Sequence, residues 1–310
     1  MSNDRAFRPN SFDDYVGQKN IINNLRVFVK SAKIRNEPID HILFSGPPGL
    51  GKTSLANTLA NEVGSRLHTI NATTLKNKGD LIAVLSCLKK QDILFIDEIH
   101  ALGVRVEEVL YTAMEDFKLD IVAGGETVTI DLEPFTIIGA TTVSGLVSKP
   151  LLDRFGEVVV MEPYNNDDMA QIATSNFKKY DLLVDEEAIT NLANRCRGIP
   201  RIMNRLIRRI RDFAIVSEHK LVNSELVDTV CSNLGIDSNG LDKSSRSYLS
   251  YLSKSSDPIG VKTISSAINE DADTIQNNIE PHLIMIGLVE KCNKGRIITD
   301  QGRSYLQQIT

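Results

Sequence analysis

A chain of 310 residues, 42% hydrophobic and 24% charged, has room for two or three domains with their own cores and excludes a small scaffold that depends on disulfides. A formal net charge of -5 excludes a uniformly basic nucleic-acid coat, so any phosphate contact must come from a local patch. Cys87, Cys196, Cys231 and Cys292 are scattered with no metal-ligand spacing, which speaks against structural zinc and for a reduced, cytoplasmic setting. MSNDRAFRPNSF carries no apolar signal core, and no run of about 18 apolar residues is present to span a membrane.

In chain order, HILFS (41–45), LHTI (67–70), ILFID (93–97), FTIIG (135–139) and VVVM (158–161) read as short buried strands. Helical patterns such as TSLANTLANEVG and VEEVLYTAMEDF lie between them, and this α/β alternation predicts a parallel sheet covered by helices. IVAGGETVTID (121–131) reads as a hairpin turning at Gly124-Gly125, and its apolar side chains include Ile121, Val122 and Val128. From Asp167 to about Gly235 every segment reads as helix, with Asp185 and Asn223 as N-caps and no strand. Residues 241–310 read as three helices and a terminal hairpin turning at NKGR, a winged helix. The expected division is 1–166, 167–238 and 239–310.

GPPGLGKTS (46–54) follows its strand directly and opens a helix. Gly46, Gly49 and Gly51 let the backbone curl so that amide hydrogens converge on phosphate oxygens, and the helix N-terminus adds positive potential. Lys52 suits the β and γ phosphates, and the Thr53 hydroxyl suits Mg²⁺. The strand ILFID then ends in Asp97-Glu98. Asp97 is placed for the Mg²⁺ hydration shell and Glu98 for the attacking water. His100 is open to two readings, a supporting group or a satisfied surface histidine. FTIIGATT ends in Thr141-Thr142, where a hydroxyl could sense the γ phosphate or simply form a turn. Arg154 in KPLLDRFG suits a neighbour's phosphate or a surface ion pair. Among the arginines from Arg195 to Arg211, Arg201 stands out because it follows Pro200 at a helix start, while most of the rest read as solvated helix faces. Residues 241–310 carry eight basic and eight acidic side chains, yet Lys291, Lys294 and Arg296 crowd the hairpin tip around Gly295, a candidate phosphate clamp with little base preference.

At FRPNSFDDYVGQ, DHILFSGPPGLGKTSLA, LFIDEIHAL, LYTAMEDF, PFTIIGATT, RFG and RGIPRI the chain resembles the RuvB family of AAA+ ATPases, over essentially its whole length. The resemblance implies a large AAA+ domain, a helical lid and a DNA-binding head. It implies homohexameric rings on duplex DNA of Holliday junctions, driven by ATP hydrolysis to ADP with Mg²⁺, acting with RuvA and RuvC. Carried to matching positions, Phe7, Arg8 and Tyr164 contact the nucleotide, and Gly49, Leu50, Gly51, Lys52, Thr53 and Ser54 hold its phosphates. Thr53 and Asp97 serve the metal, and Lys52, Asp97, Glu98, Thr142 (with Thr141 next) and Arg154 serve catalysis. Glu115, Asp116 and Phe117 belong to a segment offered to a neighbour, Arg201 is a second sensor, and Lys291 and Arg296 match DNA contacts. The hairpin at 121–131 matches the RuvA-docking hairpin.

The chain departs from the family at Val143, Leu152 and Lys291, where arginine is usual, and at NKGR in the wing. The expected activity is ATP-dependent Holliday junction branch migration; the alternative is an ATP-switched clamp loader or assembly factor, which would carry a helical collar in place of the basic hairpin.

Overall fold

The computed structural model describes residues 7–123, 126–218 and 220–309. Its contacts gather into two compact units, one running to Ile172 and including Ile199–Arg201, the other made of Ala173–Gly198 and Ile202–Thr310. Among the described residues no helix is long and apolar enough to cross a membrane.

The first unit is built on a parallel sheet. Helix α1 (Lys19–Arg35) precedes β1 (Ile42–Ser45), and α2 (Lys52–Val63) leads to β2 (Leu67–Asn71). Then come α3 (Lys78–Leu85), β3 (Ile93–Asp97), α4 (Val104–Glu115) and an antiparallel ribbon of β4 (Lys118–Ala123) with β5 (Glu126–Asp131). β6 (Thr136–Thr141), α5 (Lys149–Leu152) and β7 (Glu157–Val160) complete it. The sheet order is β2-β3-β6-β1-β7, with every pairing parallel. The central strands β1 and β6 are buried along their whole length, which is why they read as unbroken apolar runs in the sequence. Leu43, Leu94, Ile96 and Ile137 form one core with Leu81, Leu85, Leu110 and Ala113 of α3 and α4. The period of two turns Ile93, Phe95 and Ile138 to the opposite face, and α2 packs against β3 and β6. Gly139 is a packing requirement here, since a Cβ would meet Ile99 Cδ1 at 2.9 Å and both Leu43 Cδ1 and Phe155 Cζ at 3.0 Å. The turn expected at Gly124-Gly125 lies outside the described residues.

α6 (Asn166–Lys178) enters the second unit, followed by β8 (Leu183–Val184), α7 (Glu186–Arg195), α8 (Pro200–Val216), β9 (Leu221–Val222) and α9 (Ser224–Asn233). The Asp185 and Asn223 side chains cap α7 and α9 by accepting from the Ala188 and Leu226 amides. The expectation of no strand here is corrected: β8 and β9 form a two-residue parallel ladder, too short to leave a periodicity in the sequence. Two of the seven arginines from Arg195 to Arg211 fall outside the solvated majority. Arg195, 6% exposed, donates to Asp228, and Arg197 at φ 55 donates to the Gly240 carbonyl.

α10 (Lys243–Leu252), α11 (Val261–Ile268) and α12 (Ala272–Thr274) follow, α12 passing through a π-turn (Ile275–Ile279) into α13 (Glu280–Met285). The wing is β10 (Val289–Cys292) paired with β11 (Gly295–Ile298), and Ile259 adds an antiparallel bridge to Arg296. The hairpin is not terminal, as α14 (Asp300–Ile309) closes the domain and buries Tyr305 against the core.

Candidate nucleotide site and DNA face

The P-loop leaves β1 at its carboxyl edge. Gly46, Gly49 and Gly51 all hold positive φ, at 145°, 88° and 104°. A Cβ on Gly46 would lie 2.5 Å from the Met161 carbonyl oxygen, and one on Gly49 would lie 2.8 Å from Ile199 and 2.9 Å from Arg201. Only glycine permits this curl. Lys52, a residue only 8% exposed, donates from its ammonium to the Gly46 carbonyl at 2.7 Å and the Pro47 carbonyl at 3.1 Å. Burial lowers its pKa, and the nearby Glu98 and Asp97 carboxylates oppose that shift. A buried cation resting on the loop's own carbonyls, beside backbone that only glycine can adopt, fits a polyphosphate chain. Thr53 and Ser54 lie half-buried in the first turn of α2, and Leu50 is fully buried beneath the loop.

Two further segments close on this loop. The Arg201 amide donates to the Gly49 carbonyl at 3.3 Å, and the Arg201 charge is felt at both Lys52 and Asp97. Its side chain is exposed and available to a ligand. The Tyr164 hydroxyl lies 3.3 Å from the Leu50 carbonyl and 3.4 Å from the Tyr15 hydroxyl. Tyr15 went unnoticed in the sequence, although a Cβ on Gly51 would stand 3.1 Å from its hydroxyl. Its signal was its place in FDDYVGQ. Phe7 is buried, and Arg8 is half-buried next to it.

Asp97 and Glu98 end β3. Desolvation, then the adjacent Glu98, raises the Asp97 pKa. Glu98 sits at φ 51, a left-handed conformation unfavourable for a side chain, which turns its carboxylate away from the strand line. That carboxylate accepts from the Thr142 hydroxyl at 3.2 Å and lies 3.4 Å from His100 Nδ1. Thr141 is instead fully buried, accepting from the Val143 amide at 3.0 Å and pairing with His100 Nδ1 at 2.9 Å. Of the two threonines left open by the sequence, Thr142 is the one against Glu98. His100 bridges Glu98 and Thr141.

Arg154 lies elsewhere. It comes three residues before β7, which runs parallel to β1, and so lies at the amino edge, opposite the P-loop. Its guanidinium donates to the Tyr111 carbonyl at 3.3 Å, the Pro150 carbonyl at 2.6 Å and the Glu115 carboxylate at 3.1 Å, and stacks 4.4 Å from the Tyr111 ring. Glu115 and Asp116 are exposed at the end of α4, and Phe117 follows at φ 52. The structure thus gathers Arg154 with Glu115, Asp116 and Phe117 and separates them from the P-loop. On the ribbon, Val128 and Ile130 are 49% and 39% exposed, apolar surface that the described residues leave open.

In the wing, Lys291 and Lys294 are exposed, but Arg296 departs from the expected clamp. At 7% exposure its Nε donates to Glu280 Oε1 at 2.7 Å and its Nη2 to Oε2 at 3.1 Å. The cause is strand alternation together with Glu280: β11 turns Arg296 inward onto a carboxylate itself 2% exposed, where the Tyr248 hydroxyl also donates. Glu280→Ala should destabilise the C-terminal unit by about 3–5 kcal/mol, because it strands a buried cation; denaturant unfolding and amide exchange across β10 and β11 would measure the loss.

Three family models match in succession: the Holliday junction DNA helicase RuvB P-loop domain over residues 7–161, the RuvB AAA lid domain over 164–237 and the RuvB C-terminal winged helix domain over 238–307. The Holliday junction branch migration complex subunit RuvB of Wolbachia sp. subsp. Brugia malayi is 46% identical over 303 residues, 96% of this chain and 93% of that protein. Its counterpart from Kosmotoga olearia is 43% identical over 308 residues, 97% of this chain and 90% of that protein. Among solved structures, the Thermotoga maritima RuvB Holliday junction branch migration motor superposes with a TM-score of 0.90 at 36% identity, covering 97% of this chain and 98% of that one. The order of P-loop domain, lid and winged helix, with a nucleotide cradle built as described, places this chain in the RuvB family of AAA+ ATPases.

Proposed function

We propose that this chain is a cytoplasmic, ATP-driven DNA motor that moves the branch point of Holliday junctions, acting with RuvA and RuvC. Its working parts are an ATPase domain at 1–166, a lid at 167–238 and a DNA-binding head at 239–310. Lys52 with the P-loop amides holds the triphosphate, Arg201 covers it, and Phe7, Arg8 and Tyr164 flank it. Thr53 and Asp97 would hold Mg²⁺, which supplies charge neutralisation on the phosphates. Glu98, held by Thr142, orients the attacking water and takes its proton.

The observation that carries this reading is the separation of Arg154 from its own P-loop. β1 alone spans four residues between the two edges of the sheet, about 13 Å at the usual strand rise of ~3.3 Å per residue. An arginine on the amino edge serves a second copy's phosphates, which calls for a closed ring; the family resemblance makes it a homohexamer. Exposed Lys291 and Lys294 meet duplex backbone, and the apolar ribbon carrying Val128 and Ile130 docks RuvA.

The test is a synthetic four-way junction mixed with this chain, RuvA, ATP and Mg²⁺. The expected result is branch-point movement that needs both RuvA and hydrolysable ATP. ATP turnover without junction movement under those conditions would overturn the motor reading and favour a loader.

A further inference from the structure

We propose that His41 is a positioning residue that locks the neighbour-facing edge of the ATPase domain to the strand carrying Thr142, so that Arg154 and the Glu115–Phe117 segment are held in place for the adjoining subunit. The inference rests on the reading of Arg154 as acting on a second copy.

His41 stands immediately before β1, at the amino edge of the sheet, and is 8% exposed. Both ring nitrogens are engaged. Nδ1 accepts from the Ile137 amide of β6 at 2.8 Å, which fixes the ring hydrogen on Nε2. Nε2 then donates to the Met114 carbonyl at 3.1 Å, one residue before Glu115. The His41 carbonyl accepts from the Gly156 amide at 2.9 Å, two residues after Arg154. The ring also contacts Phe117 and Phe135, with centroids 6.4 Å and 6.0 Å away.

One residue therefore joins three segments that sequence separates: the start of β6, the end of α4 and the exit from Arg154. Each of the last two carries groups offered to a neighbour, and β6 ends four residues after Ile137 at Thr141, with Thr142 next in the chain. No side chain other than histidine accepts at the δ position and donates at the ε position from a rigid ring. Burial keeps the imidazole neutral by lowering its pKa, and this preserves the accepting Nδ1 that Ile137 needs. Helix α4 alone could not hold Glu115, because its last turn leaves carbonyls without intrahelical partners and His41 takes one of them.

Two near-isosteres divide the contacts. His41→Asn keeps an acceptor for the Ile137 amide and loses the donor to Met114; His41→Gln can reach the Met114 carbonyl from the ε position. Misplacing a catalytic group by about 1 Å can reduce a rate about 10²-fold. His41→Asn rings should therefore lose up to about 100-fold in ATP turnover while nucleotide affinity at the same subunit's P-loop stays within about twofold. His41→Gln should keep clearly more turnover than His41→Asn.

The decisive measurement mixes subunits. Lys52→Ala subunits bind no triphosphate but present an intact edge, so mixing them with His41→Asn subunits should restore turnover above the sum of the two alone. An Arg154→Ala plus Lys52→Ala mixture is the control. Failure of that control removes the second-copy reading itself. A working control with no restoration for His41→Asn, or equal loss in the Asn and Gln variants, overturns the role given to His41, as does weakened nucleotide binding in parallel with the rate.

Discussion

Glu98→Gln should bind ATP with near-normal affinity and hydrolyse it about 10²- to 10⁴-fold more slowly, the range a positioned general base supplies. The amide keeps the length of the side chain and an oxygen for the Thr142 hydroxyl, now 3.2 Å from the carboxylate. What it removes is basicity. Asp97 cannot substitute, because its carboxylate ends β3 in the place suited to the Mg²⁺ hydration shell and not to the attacking water. Lys52 loses one of the two carboxylates that sustain its charge, but Asp97 remains and the ammonium keeps its place on the loop. Binding and turnover should thus separate cleanly. Equilibrium nucleotide titration beside single-turnover hydrolysis measures both, and an unchanged rate would remove Glu98 from the chemistry. His100 offers a graded companion: it touches both Glu98 and Thr141, so its replacement should slow turnover without matching the loss at Glu98.

The parts of this molecule that sequence displayed are those set by local rules. Buried parallel strands require unbroken apolar runs, and the P-loop requires glycines where φ is positive, so β1, β3, β6 and residues 46–54 could be read directly. N-caps at Asp185 and Asn223 are equally local. What escaped depends on partners far along the chain. Arg195 and Arg197 look like any exposed helical arginine until Asp228 and Gly240 fold against them. Arg296 sits on a basic hairpin, yet Glu280, sixteen residues earlier, draws it inside. α14 lies beyond the hairpin that the sequence pattern makes terminal, and its Gly302 is required because a Cβ would fall 2.3 Å from the Leu288 carbonyl oxygen. His41 gives no motif at all, since its meaning lies in the Ile137 amide and the Met114 carbonyl, both backbone groups.

Arg154→Ala should reduce turnover of homogeneous rings by about 10³- to 10⁵-fold, the contribution of an arginine that stabilises charge on a transferring phosphoryl group, while leaving the folded protomer nearly as stable as before. Within one protomer Arg154 pairs with Glu115, whose side chain is 56% exposed, a pair worth about 1 kcal/mol or less, and its contacts with the Tyr111 and Pro150 carbonyls and the Tyr111 ring add about 1 kcal/mol more. The guanidinium's cis partners are therefore a resting place, easily exchanged for a neighbour's phosphates, and thermal unfolding should shift by only a few degrees. Its removal also frees Glu115, whose negative charge at the same edge would then face the incoming triphosphate uncompensated. This adds to the kinetic loss without touching the protomer's own P-loop. Because the defect lies on one subunit and the damage on another, nucleotide affinity should survive in Arg154→Ala, and titrating in Lys52→Ala subunits should raise turnover to a maximum at intermediate mixing ratios. A homogeneous Arg154→Ala preparation that hydrolyses ATP at the unmodified rate would mean that the charge completing the site comes from within the protomer, and the ring would lose its catalytic justification.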